Sequence, residues 1–320
     1  MLAALVLIAH LDRTLPLSHV GRQPAFSPDS KLLAACSADG VVKLMQLPDR
    51  KVVKIVRDPG GVTVVDFARD GQSLATASYD GTVKIWRLPD GAPLRTLSGH
   101  SKTVWTIAFS RNGQWLASGG EDQTVRMWRV ADGKLMRTMQ GHARNVWHVA
   151  FTPDSQFLAS SSFDKTIKIW RVADGALVRT LIGHTQAVVG IAIHPDGQIL
   201  ASCGDDSTIR LWRISDGKLL RTIRGDIGHQ DKVAFSSDGQ FLASGGHERS
   251  TIGEIWKKVA GGKLSRDPTV RLWRVADGKL VQAIADHNDD APHVAFSPDG
   301  QWLVSTSEDK TAKLYRLTMR

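Results

Sequence analysis

The sequence predicts an all-β fold, a closed seven-bladed β-propeller built from four-stranded antiparallel blades. Three observations carry this. A repeat of about 42 residues runs through the chain, each copy reads as four short strands separated by turn residues, and the strand missing from the last copy is found at the N-terminus.

The repeat is marked by an S-x-D-like turn followed six residues later by an aromatic. It occurs as Asp80/Trp86, Asp122/Trp128, Asp164/Trp170, Asp206/Trp212, Asp267/Trp273 and Asp309/Tyr315, with a weaker first copy at Asp39/Met45. Successive turn aspartates are 41, 42, 42, 42, 61 and 42 residues apart, giving seven units and one long interval.

Each unit contains an AFSPDG-like strand and turn, a LAS-x-G/S strand, the Asp turn, a TV-K/R-I/L-W-R strand and an ADGKL-x-RT hairpin and strand. Short apolar runs punctuated by Gly, Asp and Asn form antiparallel strands joined by tight turns. One such sheet cannot bury both faces, so neighbouring sheets must stack face to face around an axis.

Ring closure is also written in the chain. The last unit ends at Tyr315 to Leu317, just after its third strand, while LDRTLPLSH at 11–19 is similar to LRTLSGH at 94–100. The N-terminal segment is therefore predicted to be the outermost strand of the final blade, which removes the exposed edges of an open array.

Gly-His pairs precede the first strand of several units, at Gly99-His100, Gly141-His142, Gly183-His184 and Gly228-His229, with Asp286-His287 as a variant. With the Trp that ends the third strand, they make the whole chain resemble the WD-repeat family. It departs from that family after the Trp, where Arg87, Arg129, Arg171, Arg213, Arg274 or Lys257 replaces the usual Asp. Its uniform SPDGQ-LAS-VADGK wording is similar to bacterial-style repeats.

The resemblance implies a structural tetrad per blade, with hydrogen bonds running from Trp through Ser or Thr and His to Asp. The complete sets are His100/Ser118/Asp122/Trp128, His142/Ser160/Asp164/Trp170, His184/Ser202/Asp206/Trp212 and His229/Ser244/Asp267/Trp273. His287/Ser305/Asp309 ends on Tyr315, and units one and two, with Ala35/Asp39/Met45 and Thr76/Asp80/Trp86, lack the histidine. A Ser-His-Asp set can also mean nucleophilic catalysis, but catalysis requires one oriented constellation and not a copy in most blades. No catalytic residue, cofactor or metal site is expected: the remaining histidines are scattered, and neither HExxH spacing nor a Gly-rich phosphate loop is present.

Formal net charge is +9, from 41 Lys and Arg against 32 Asp and Glu. Such an excess attracts polyanions weakly, which keeps nucleic-acid binding open as an alternative. The basic residues recur at matching positions, however, on third strands (Lys84, Arg126, Lys168, Arg210, Arg271, Lys313) and fourth strands (Arg95, Arg137, Arg179, Arg221). Repetition spreads them around the circumference as a solubilising face and gathers no stripe with stacking aromatics. Cys36 and Cys203 fall in inner strands of different units, so buried free thiols and a cytoplasmic setting are expected. The apolar run in MLAALVLIAHLD is too short to span a membrane and has no Lys or Arg before it, so neither a membrane anchor nor a signal peptide is expected.

Under the resemblance, the tetrad His and Asp loops share the top face of the disk. Two kinds of position look onto it. One directly precedes the turn Asp, at Ala38, Tyr79, Glu121, Phe163, Asp205 and Glu308; the other lies near the start of the first strand, at Thr63, Trp105, Trp147, Val189 and Pro292. These vary while their neighbours repeat. Tyr79, Trp105, Trp147 and Phe163 belong to consecutive units, so an aromatic patch ringed by Glu121 and Asp205 is predicted, either to anchor a peptide with apolar and basic side chains or to pack locally between blades.

The long interval places an insertion at about 247–266 in the sixth unit, carrying Trp256, Lys257 and Lys258. Either Asp267/Trp273 stays in the blade and the insertion protrudes, or Thr251 to Trp256 supplies the strand and 263–280 is displaced. The first keeps the better match. Its protrusion would offer Trp256 to a partner, or be a relic of duplication without a role. Together these features predict one propeller over 1–320, monomeric, acting as a non-catalytic scaffold for a protein or peptide; an enzyme using Glu121, Asp205, Asp231 or Glu308 at the channel is the least supported reading.

Overall fold

The computed structural model describes residues 6–47, 49, 51–224, 229–247 and 270–319. Among them, 28 strands form seven four-stranded antiparallel sheets arranged as a β-propeller. Blades one to six take four consecutive strands each, over 25–57, 64–98, 104–139, 146–182, 188–223 and 229–284. The seventh takes His293–Phe296, Trp302–Thr306 and Thr311–Met319, and its outer strand is Leu7–Pro16.

Burial grades outward across each blade. The second strand, as in Phe157–Ser162, is buried beyond its first residue, whereas the fourth, as in Leu177–Ile182, is largely exposed. Seven apolar clusters sit between neighbouring blades. Ala117, Val125, Met127 and Met139 of the third blade meet Val149, Leu158 and Trp170 of the fourth. Leu33 and Met45 of the first meet Trp302 and Leu314 of the seventh, so the ring is closed by the same packing that builds it. Burying a side chain of this size contributes about 1.5–3 kcal/mol, which makes these seams the main source of stability.

Tight turns follow the sequence. Gly113, Gly197, Gly239 and Gly300 take positive φ in the turn after the first strand, and serine takes it at Ser30 (φ 59) and Ser155 (φ 60). Both serines use their hydroxyls across a seam: Ser155 Oγ accepts from Asn112 N at 3.2 Å, and Ser30 Oγ accepts from Asp299 N at 3.0 Å. Their left-handed strain is offset by a bond that glycine could not make.

The closing strand starts earlier than predicted. Leu7–Pro16 pairs with Thr311–Met319 from Leu7↔Met319 to Pro16↔Thr311, with a bulge between Leu11 and Arg13. Leu7 and Ala9 are buried, so the apolar segment before residue 11 belongs to the strand, and the chain leaves it after Pro16 to bury Leu17 against the first blade. Cys36 and Cys203 are both buried and unbridged, in strands Leu32–Cys36 and Ile199–Gly204.

In the sixth blade the third strand is Val270–Arg274, paired with Phe241–His247. The register that keeps Trp273 in the blade is thus the one adopted, and the second strand reaches His247, the first residue of the predicted insertion. The rest of the insertion, including Trp256 and Asp267, lies outside the described residues.

Candidate functional site

Three complete tetrads form one repeated geometry. In the fourth blade Trp170 Nε1 donates to Ser160 Oγ at 2.8 Å, Ser160 Oγ lies 2.8 Å from His142 Nε2, and His142 Nδ1 lies 2.8 Å from Asp164 Oδ2. Donors run in one direction when Ser160 donates to Nε2 and His142 carries its proton on Nδ1. The third blade repeats the chain through Trp128, Ser118, His100 and Asp122 at 2.9, 2.8 and 2.9 Å, and the fifth through Trp212, Ser202, His184 and Asp206 at 2.8, 2.7 and 2.9 Å. Burial would raise the Asp164 carboxyl, but hydrogen bonds from His142 and Thr166 outweigh it and hold the group below the usual carboxylate range; Asp122 and Asp206 are depressed in the same way. With every serine hydroxyl buried and committed, these sets fasten loops and expose no nucleophile.

The incomplete blades are filled by other chemistry. In the second, Asp58 takes the histidine's place: Thr76 Oγ1 donates to Asp58 Oδ2 at 2.9 Å, Trp86 Nε1 donates to Thr76 Oγ1 at 3.0 Å, and Lys84 Nζ bridges Asp58 at 2.6 Å and Asp80 at 3.0 Å. In the first, Leu17, Ala35 and Met45 replace His, Ser and Trp together and join one apolar cluster. Both substitutes keep the spacing of 18 residues that separates His from Ser elsewhere, so spacing without residue type would have found them. In the seventh, His287 bonds Ser305 and Asp309 at 2.7 and 3.0 Å, while Ser305 Oγ and Tyr315 Oη are 3.5 Å apart.

The sixth-blade tetrad needs correction. His229 is the first residue of the strand His229–Phe235 and pairs with His247, closer to Ser244 than the 18-residue spacing allows. Asp226 stands at that spacing and, like Asp267, lies outside the described residues. Ser244 Oγ accepts from Trp273 Nε1 at 3.0 Å.

The predicted aromatic residues meet. Tyr79 contacts Trp105 edge to face at 5.8 Å, Trp105 stacks on Trp147 at 4.7 Å and 29°, and Trp147 stacks on Phe163 at 4.9 Å and 17°. All four are half-buried, as are Glu121 and Asp205. Tyr79 and Phe163 directly precede turn aspartates, so the ladder lies at the end of the disk that carries the tetrad loops. Glu121 faces Lys102 at 3.8 Å, and Arg22 lies over the Tyr79 ring at 6.0 Å.

Beside the ladder opens a cleft that the residue types did not single out. Its wall includes Arg22, Trp105, Trp147, His148, Asp231 and Lys232. Arg22 and Asp231 hold the same register position as Trp105 and Trp147, whereas His148, Lys232 and His293 hold the next one inward, so histidines that look scattered in sequence converge here. Lys232 Nζ donates to Gln23 Oε1 at 3.0 Å and is hydrogen-bonded to His148 Nε2. Burial pushes the Lys232 ammonium down to about 7, and burial with the nearby Lys232 charge pushes His148 well below the ordinary histidine value.

Recurring arginines have assignments more specific than a solubilising face. Arg95, Arg137 and Arg179 on fourth strands donate to Ala131, Ala173 and Ser215 carbonyls of the next blade at 2.8, 2.8 and 2.7 Å. Arg87, Arg129, Arg171 and Arg213, which replace the family Asp after Trp, pair with Asp90, Asp132, Asp174 and Asp216 of their own hairpins. Much of the basic excess is therefore tied to seams and hairpins.

A family model described as "WD domain, G-beta repeat" matches residues 9–44, 50–87, 91–129, 133–171, 175–213, 217–252 and 278–316. The chain belongs to the WD40 family. Among curated proteins, this WD40 chain is 34% identical over 74 residues to a nuclear distribution protein nudF of Aspergillus terreus, covering 23% of this chain and 16% of the relative. It is 41% identical over 54 residues to a nuclear distribution protein PAC1 of Tuber melanosporum, covering 17% and 12%. The matched stretches thus span a small part of these relatives. Both are fungal, which corrects the expectation of a bacterial style.

Proposed function

We propose that this WD40 propeller is a non-catalytic scaffold that binds a protein or peptide segment across the end of the disk carrying the turn aspartates. The observation behind this reading is the ladder Tyr79–Trp105–Trp147–Phe163, four half-buried rings from three consecutive blades. Rigid aromatic surface that is not fully covered is the kind of anchor that dominates protein interfaces. The shared repeat with nuclear distribution proteins supports an interaction role in general; matches of 54 and 74 residues support no particular partner. A single unit over 1–320, with the insertion offering Trp256 as an accessory contact, and a cytoplasmic setting suited to two unbridged thiols complete the reading.

The test is affinity capture from native lysate with the wild-type chain and a Trp105→Ala, Trp147→Ala variant shown to be folded by circular dichroism. A specific protein band lost in the variant is expected. An unchanged band would remove the ladder as the main anchor, and recovery of only nuclease-sensitive, salt-labile material would put nucleic acid in place of protein.

A further inference from the structure

The cleft beside the ladder has unbalanced hydrogen-bonding chemistry. Of the five buried side-chain nitrogens without a hydrogen-bond partner among the described residues, two are the Nε atoms of the seam arginines Arg137 and Arg179, and the other three are Arg22 Nε, Trp105 Nε1 and His148 Nδ1. All three residues line this one cleft. Arg22 Nε and Trp105 Nε1 can only donate, and His148, accepting from Lys232 through Nε2, carries its proton on Nδ1. Three donors without acceptors, next to the Lys232 amine, call for an acceptor-rich group from outside the fold.

Size and charge narrow the choice. The free volume is about 60 Å³, room enough for a carboxylate. Arg22 supplies a fixed positive charge on the wall and Lys232 a titratable one, while Asp231 is the one acid among the described residues there. Guanidinium, indole and imidazole N–H groups around a carboxylate make charge-assisted bonds that the isosteric amide cannot match.

We infer that this cleft receives the side-chain carboxylate of an Asp or Glu from the bound segment, held among Arg22, Trp105, His148 and Lys232. The inference deepens the scaffold reading and rests on it for the origin of the carboxylate. It makes the recognised element an acidic residue seated beside an aromatic platform, where the sequence alone suggested an apolar or basic anchor.

The test uses four pools of dodecapeptides, acetylated and amidated at their ends, random except for a central Glu, Gln, Lys or Leu, passed over the immobilised full chain. The Glu pool is expected to be retained at least fivefold over the Gln pool, and Lys232→Met, which keeps most of the buried volume, to level the two. The wild-type Glu-to-Gln ratio alone decides the matter even where the variant fails to fold. Equal retention of Glu and Gln, or preference for Lys or Leu, overturns the carboxylate site; if that retention is lost in the Trp105→Ala, Trp147→Ala variant, the scaffold reading stands without it. Retention of no pool overturns both.

Discussion

The Gln282 side chain grips the backbone of Ala9 on both sides, accepting from Ala9 N at 2.8 Å and donating through Nε2 to Ala9 O at 3.0 Å. Gln282 stands where blades two to five have an arginine reaching for a hairpin carbonyl of the next blade. At the closure seam the neighbour is the extended strand Leu7–Pro16, and a flat amide matches the paired N–H and C=O of a strand edge as a guanidinium cannot. Gln282→Ala removes two bonds at a partly buried site, so a loss of about 1–2 kcal/mol in urea unfolding is predicted. A change within experimental error would mean that strand pairing alone closes the ring.

The tetrads and their apolar substitute predict opposite responses to exchanging one oxygen. Ser160→Ala leaves Trp170 Nε1 and His142 Nε2 buried without their shared partner, with an expected loss of about 2–3 kcal/mol. Ala35→Ser places a hydroxyl between Leu17 and Met45, which offer it nothing, and should also destabilise, by about 1–3 kcal/mol. Adding the missing family serine therefore harms the first blade. Thermal unfolding of both variants checks this, and an Ala35→Ser protein as stable as wild type would show that the first blade tolerates a partial network.

Why the repeats were readable and the cleft was not has a physical basis. Blade strands, turns and seams obey short-range rules restated seven times, so spacing exposes them even where residue type fails, as at Asp58 and Leu17. The ladder was legible because Tyr79, Trp105, Trp147 and Phe163 break the repeat at matching positions. Arg22, His148, Asp231 and Lys232 also break it, but they come from three different blades and meet only because the ring closes. His229 misled because its Gly-His pair carries the family wording at 15 residues from Ser244 and not at the 18 that separate His from Ser elsewhere.

Two classes of arginine should separate cleanly. Arg137 donates to Ala173 O across a seam, whereas Arg171 and Asp174 form a pair whose side chains are about half exposed, at 52% and 50%. Exposed pairs of this kind contribute little and are screened by salt. Arg137→Ala is predicted to lower stability by about 1–2 kcal/mol, since it also uncovers Gly175 and Met139 beneath the stem, and Arg171→Ala by less than about 0.5 kcal/mol. Comparable losses from the two would count against the seam role.

Acid unfolding should report the tetrads directly. The Asp122, Asp164 and Asp206 carboxyls titrate lower in the folded chain than in the unfolded one, despite burial, because histidine and threonine hydrogen bonds favour the anion. A depressed carboxyl contributes stability that is fully present above its unfolded value, about 3.9, and is lost as pH falls towards the folded value. His287 has the same sign: burial lowers it against the pull of Asp309, so the neutral form is favoured in the fold and its contribution declines as pH falls below about 6.5. Stability should therefore decline gently below pH 6.5 and steeply below pH 4. Asp164→Asn keeps an acceptor for His142 Nδ1 but removes the charge, so it should lower stability at pH 7 and flatten the steep limb. Urea midpoints at pH 7, 5, 4 and 3 measure both effects, and an unaltered acid limb would place the proton uptake outside the tetrads.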